Sequence, residues 1–411
     1  MYDIGIYLFS FVLRVLSVFN PKIKKGVKGR KETFARLAAQ LDNTKSSIWF
    51  HCASLGEYEQ GLPVFEHIRD TYPDHHIVLS FFSPSGYEIR KNTPIADTVV
   101  YLPIDTKANA KRFVDLIQPA LTVFVKYDIW SNLLLYLHQC NLPAILISAA
   151  FRKNQLFFKP YGNKQKSALK TFDHIFVQNE DSKGLLYTIG YTAVTVSGDT
   201  RFDRVSNQLK QDNTIDFITA FKGDSLCIVI GSSWQEDEAI LLPYINKHAS
   251  ANLKFIIAPH EINKTHINDI TSKLTVDHTV FSSKDQRAIE GSNVFVVDTI
   301  GLLSKIYSYA DIAYVGGAMG TTGLHNILEP AVFGCPVIIG KNHHKFPEAQ
   351  QMIDKAGIIS VNDQKDLEQQ LNDLITSSER RENLGSRNAL FIGKSKGAVN
   401  SVMNFLEEIN F

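Results

Sequence analysis

Short apolar runs alternate with segments of helical period along almost the whole chain, and this alternation limits the fold more than any other feature. The runs fall at residues 48–51, 77–82, 98–102, 121–125, 144–147, 175–177 and 194–197, separated by helix-period segments such as 58–71, 107–118 and 130–140. Apolar strands that alternate with helices predict a parallel sheet covered on both faces. After a polar stretch at 206–213 the pattern restarts, with runs at 226–230, 254–258, 294–297, 312–315 and 337–339. A chain of 411 residues exceeds one ordinary core. The expectation is an α/β protein of two doubly wound, Rossmann-like halves facing a cleft lined by strand ends. The expected division is 1–31, an apolar helix with a basic collar; 32–205, the first domain; 206–395, the second; and 396–411, a helix packing back on the first.

The N-terminus departs from this alternation. From Ile4 to Phe19 almost every residue is apolar, while Asp3, Tyr7, Ser10, Arg14 and Ser17 draw one polar stripe at intervals of three and four. Sixteen helical residues rise about 24 Å, short of a hydrocarbon core of roughly 30 Å, and Arg14 sits inside the run. Asp3 precedes the run and basic residues follow it, the reverse of a secretory signal. Those residues are Lys22, Lys24, Lys25, Lys28, Arg30 and Lys31, each worth roughly 1 kcal/mol at an anionic leaflet. The pattern is that of a monotopic helix with a polybasic collar at the inner surface of a membrane. The alternative is an apolar helix packed on its own domain, with a solvated basic loop behind it.

Forty-three Lys and Arg against 42 Asp and Glu leave a net charge of +1, which gives no global field for nucleic acid. Cys52, Cys140, Cys227 and Cys335 are scattered beside apolar runs without a C-x-x-C pair, a pattern of buried free thiols in a reducing, cytoplasmic setting.

The chemistry-bearing segments lie just beyond the apolar runs. The stretch from Gly316 to Gly340 combines a glycine pair, a second glycine turn, and an expected helix opening with His325, Asn326 and Glu329. Glycines admit an anion close to the backbone, a helix N-terminus attracts it, and Glu329 can accept from a ribose diol. The spacing is not the dinucleotide fingerprint, so a nicotinamide enzyme is disfavoured. The other reading is that the glycines only make tight turns. Ser54, Gly56 and Glu57 follow the first strand. Glu57 there is either a general base or a carboxylate complementing a helix N-terminus. Gly231, Ser232 and Ser233 can meet a phosphate or sugar acid, or Ser233 can cap the next helix, whose Glu236, Asp237 and Glu238 are expected in a solvated first turn. His260, at a strand end, is a nucleotide ligand or a satisfied polar residue; Arg201 meets an anionic donor or pairs with Asp203. No pattern calls for a metal or other cofactor, and no Ser-His-Asp set or nucleophile elbow points to a hydrolase.

Taken together, SLGE at Ser54 to Glu57, the GDTRFD block from Gly198, GSS at Gly231, VVDTIG, and VGGAM followed by GLHNILEPAVFGCPVIIG resemble the 3-deoxy-D-manno-octulosonic acid (Kdo) transferases of lipopolysaccharide synthesis. The likeness runs through nearly the whole chain. It implies an inverting glycosyltransferase of the GT-B type at the cytoplasmic face of a bacterial inner membrane, taking Kdo from CMP-Kdo to a lipid A precursor. By the same resemblance Glu57 is the general base, Ser54 and Gly56 lie on the acceptor side, and Gly316, Gly317, Asn326 and Glu329 hold the CMP leaving group; Lys126 is placed with the acceptor residues, its role open. Two positions depart from the family pattern. Lys126 stands where many members carry a glutamate, and Pro259-His260-Glu261 lacks the arginine of a longer family loop. Two rivals remain: a GT-B enzyme using a UDP-sugar and another membrane acceptor, and a non-catalytic nucleotide-binding protein of the membrane surface.

Overall fold

Among the described residues, fourteen short strands, almost all rich in β-branched and aromatic residues, carry the fold. In a computed structural model, residues 2–283, 285–409 and 411 are described. They form two units, Met1–Arg204 with Lys396–Phe411, and Val205–Ser395. In the first unit β1 (Ser47–Cys52), β2 (His76–Phe81), β3 (Thr98–Tyr101), β4 (Pro119–Val125), β5 (Ala144–Ala149), β6 (His174–Val177) and β7 (Val194–Val196) pair in the order β3-β2-β1-β4-β5-β6-β7. Every neighbouring pair is parallel. The side-chain period of two sends Trp49 to one face, with Phe113 and Phe124, and Phe50 to the other, with Phe65 and Val123. Each such side chain, fully buried, contributes about 1.5–3 kcal/mol.

The second unit repeats the plan with β8 (Leu226–Ser233), β9 (Leu253–Pro259), β10 (His278–Val280), β11 (Val294–Val296), β12 (Ile312–Val315), β13 (Val337–Gly340) and β14 (Ile358–Val361). They pair in parallel as β10-β11-β9-β8-β12-β13-β14. Two of these strands, β10 and β14, fall outside the runs read from the sequence. Both are short edge strands, and β10, His278-Thr279-Val280, has little apolar surface to mark it.

The helix Ala398–Ile409 is part of the first unit, where Val399, Val402, Met403 and Leu406 join the cluster around Phe65. Asp203 accepts from Gly397 N (2.9 Å) and Ala398 N (3.2 Å), fixing where that helix starts.

The N-terminal run forms α1 (Tyr2–Phe19), whose 18 residues rise about 27 Å. By length and composition it is apolar and long enough to cross a membrane. Only Ile6 is buried, while Ile4, Leu8, Phe11, Val18 and Phe19 are each more than half exposed. Its first turn is pinned to the body: Tyr2 donates to Asp105 (2.6 Å) and Asp3 pairs with Lys164 (2.8 Å). The collar is a helix rather than a loop. Asn20 accepts from Lys22 N and Ile23 N, Pro21 occupies the first position, and α2 (Pro21–Gln40) runs on. Lys22, Lys24, Lys25, Lys28 and Lys31 are exposed on it, as is Arg14 on α1. Arg30 is not a collar residue. Its guanidinium turns inward, donates to the carbonyls of Leu102 (3.1 Å) and Phe82, and lies 4.1 Å over the Phe82 ring. Cys52, Cys227 and Cys335 are buried thiols, whereas Cys140, closing a helix at its exposed end, is not.

Candidate active site

In each sheet the strand order switches direction at the centre, between β1 and β4 in the first and between β8 and β12 in the second, where β11 is also inserted between β9 and β10. Such switch points are where open α/β sheets hold ligands. Most of the candidate residues fall on the loops leaving these four strands.

The loop after β1 leads into α3 (Leu55–Thr71), with Ser54 in extended conformation at the cap position and Glu57 in the first turn. Glu57 is only 9% exposed, and one carboxylate oxygen accepts from Ala53 N at 2.5 Å. Burial first, and then the nearby Asp128 carboxylate, push its pKa up to about 7, against the lowering effect of the Ala53 N–H and the Lys126 ammonium. A carboxylate poised near neutrality beside a strand end is suited to take a proton from a hydroxyl. Gly56 is exposed, and a side-chain carbon there would meet nothing within 4 Å, so the helix start is open to an approaching molecule.

Across the switch point, Lys126 follows β4 and is held at φ +70. Two more residues other than glycine at strand ends share this left-handed strain, Ser148 (φ +51) and Ser232 (φ +54). The Lys126 ammonium lies 5.2 Å from the centre of the Tyr127 ring, and its charge acts on Glu57. Asp128 forms a network absent from the sequence reading. Its Oδ2 is 2.7 Å from His51 Nε2 and accepts from the Trp130 indole at 2.9 Å. Ser80 accepts from the Trp49 indole (2.8 Å) and stands 2.8 Å from His51 Nδ1. The Trp130 indole also stands 3.2 Å from His51 Nε2, closing a triangle of His51, Asp128 and Trp130. A single acid at a strand end carried too little signal to single it out in KYDIW, and His51 read as part of its strand.

Arg201 belongs to the first unit, whereas the other residues assigned to the donor belong to the second. It binds Asp199, not Asp203, through Nε (2.9 Å) and a terminal nitrogen (2.7 Å), and Asp199 also accepts from Gln60 of α3 (2.9 Å).

In the second unit, β8 and β12 lie side by side, and their ends are stitched by Asp237. That carboxylate accepts from Trp234 N (2.9 Å), Gly317 N (2.8 Å) and the Tyr314 hydroxyl (2.8 Å). Only Glu236 of the acidic trio is solvated: Asp237 is fully buried, and Glu238 is buried with Ser233 (2.9 Å) and His266 (3.1 Å) on one oxygen. The Gly316 N–H donates to Gly231 O (2.9 Å) and that of Gly317 to Asp237, so neither amide points at a ligand. Their glycine identity has a packing cause. A side-chain carbon would lie 2.4 Å from Ser232 O at Gly316 and 2.1 Å from Gly323 O at Gly317, where φ is +95. Gly231 is likewise packed, 1.9 Å from the Tyr307 hydroxyl by the same measure.

The expected helix at His325 is a single turn, Leu328–Ala331, begun by Asn326, whose Oδ1 accepts from Leu328 N (3.2 Å). Pro330 removes a helix donor there, and one turn has little dipole to offer an anion. Glu329 is held by Ser304 (3.0 Å) and Asn326 (3.1 Å), its carboxylate preset. His260 stacks on Trp234 at 4.4 Å and on His325 at 4.5 Å, and the Trp234 indole donates to His325 Nε2 at 3.1 Å. His325 Nδ1 therefore carries the ring hydrogen. Burial first, then His260, hold the ring's pKa down to about 4, so it is neutral at physiological pH.

Two doubly wound parallel sheets with polar residues gathered at their switch points are the plan of the GT-B fold. Residues 28–204 match the family described as 3-deoxy-D-manno-octulosonic-acid transferase (kdotransferase). A 3-deoxy-D-manno-octulosonic acid transferase of Haemophilus influenzae is 28% identical over 405 residues, 96% of this chain and 93% of its own. One from Aquifex aeolicus is 28% identical over 340 residues, 82% of this chain and 88% of its own. Over most of its length the chain is thus similar to curated Kdo transferases, at 24–28% identity. Among solved structures, a UDP-GlcNAc 2-epimerase of Neisseria meningitidis bound to UDP-GlcNAc shares the fold, with a TM-score of 0.62 at 15% identity, covering 89% of this chain and all, 100%, of that one.

Proposed function

We propose that this protein transfers Kdo from CMP-Kdo, with inversion, to a hydroxyl of a lipid A precursor at the cytoplasmic face of the inner membrane in lipopolysaccharide synthesis. The observation that carries the reading is the alignment of a curated Kdo transferase with 96% of the chain. Glu57 takes the acceptor proton, and the freed oxygen attacks the anomeric carbon opposite the phosphate as the bond to CMP breaks. Its pKa near 7 supports that role, since a base matched to ambient pH is both ionised and proton-seeking. Ser54, the open face at Gly56 and the Lys126 ammonium receive the acceptor.

On the donor side the preset Glu329 accepts from the ribose diol, with Asn326 beside it. The roles first assigned to Gly316 and Gly317 narrow to shaping the turn. The neutral Nδ1–H of His325, with exposed His260 against its ring, is a better partner for the departing phosphate than their spent amides. Exposed apolar side chains on α1 and the lysines of α2 support residence on an anionic membrane.

The test is direct. Incubation with CMP-Kdo and a tetraacylated lipid A precursor is expected to give a lipid heavier by whole Kdo units, read by mass spectrometry. Transfer from UDP-sugars alone would replace the Kdo reading with the rival transferase.

A further inference from the structure

The polar stripe of α1 faces a cavity. Tyr7, Ser10 and Arg14 of α1, and Arg30 and Lys31 of α2, line a space of about 430 Å³ shared with the segment around Thr106. Each helix presents one face to it, at spacings of three and four. The volume lies in the range of small-ligand sites.

The charge around this space is unbalanced. Arg30 is held by two carbonyl oxygens and the Phe82 ring; burial lowers its pKa to about 10, leaving it charged, and no carboxylate acts on it. Arg14 and Lys31 are exposed, and among the described residues neither pairs with a carboxylate. Three cations from two helices thus meet at one cavity with hydroxyl donors from Tyr7 and Ser10. The remaining faces of α1 expose Leu8, Phe11, Val15 and Leu16. A soluble phosphate would satisfy the cations but leave those side chains in water. A phosphodiester joined to acyl chains satisfies both.

We propose that this cavity seats the headgroup of an anionic phospholipid, its phosphodiester between Arg14 and Lys31 and its acyl chains along α1. The inference rests on the membrane-surface reading above and sharpens it, from a diffuse attraction to one lipid held at one place.

Full-length protein in detergent is titrated with dihexanoyl phosphatidylglycerol below its micellar concentration, with dihexanoyl phosphatidylcholine and inorganic phosphate as parallel arms. Native mass spectrometry counts bound lipid. One phosphatidylglycerol retained per chain, weakened about tenfold or more in Arg14→Gln/Lys31→Gln, is the expected result. Lys22→Gln/Lys24→Gln/Lys25→Gln, outside the cavity, is expected to keep it, and circular dichroism checks that both variants fold. Equal retention of phosphatidylcholine, inorganic phosphate binding as tightly as the lipid, or no loss in the double variant would overturn the proposal. Flotation on phosphatidylglycerol vesicles separates the two levels. Flotation without stoichiometric retention removes the seat and leaves the membrane reading standing; no flotation removes both.

Discussion

Glu57 combines in one side chain a cost to the fold and a use in catalysis. Its pKa is raised from 4.5 to about 7, so the folded state binds its proton more tightly than the unfolded one. The associated stability is fully present below pH 4.5 and is lost as pH rises through about 7. Glu57→Gln is therefore expected to raise the melting temperature at pH 8 and leave it nearly unchanged at pH 4. The same change should lower kcat by about 10²- to 10⁴-fold while nucleotide binding persists. In the unaltered enzyme kcat/KM should climb with pH through an apparent pKa near 7. Asp128→Asn, by removing a negative charge that raises Glu57, should move that limb to lower pH. Two glycines make an opposite pair. Gly317→Ala forces a side-chain carbon against Gly323 O at φ +95 and should cost at least about 1–3 kcal/mol in urea unfolding. Gly56→Ala, in open space within a helix, should add about 0.5–1 kcal/mol to stability. If the acceptor passes there, KM rises.

At the scale of elements, α1 has two characters. Its first turn is tied to the first unit through Tyr2, Asp105, Asp3 and Lys164, while its middle and end expose apolar side chains. Phe9 stacks on Phe82 at 6.0 Å, and Phe82 packs on Trp130 at 4.8 Å, the residue that donates to Asp128. The helix is thereby joined to the loop that tunes Glu57. Removal of residues 1–20 is expected to abolish flotation with anionic liposomes while the melting transition of the remaining chain persists. Equal flotation of full-length and shortened protein would end the membrane reading. The stripe of Asp3, Tyr7, Ser10 and Arg14 was legible at intervals of three and four. That it borders a cavity shared with α2 was not, because periodicity defines a face and leaves open what that face meets.

Across the whole molecule, each unit carries its own sheet and core, and the chain returns to the first unit at its end. Residues 205–395 expressed alone are expected to unfold cooperatively. Residues 1–204 alone should aggregate, because Val399, Val402, Met403 and Leu406 no longer cover the apolar face they pack on, a loss of about 1.5–3 kcal/mol for each side chain. Urea denaturation of the two fragments, with light scattering, checks both. The sequence by itself determined two parallel sheets, since continuous apolar runs between amphipathic helices have few other ways to be buried. It also placed Glu57 and the glycine block just beyond strands. Tertiary structure alone decided which partners those groups meet: the amides of Gly316 and Gly317 are consumed by Gly231 and Asp237, Arg30 turns inward, and Asp128 reaches His51. The physical reason is that strand and helix periods are local, whereas a hydrogen bond between residues 77 or more apart, such as His51 with Asp128, exists only after strand order brings two loops together.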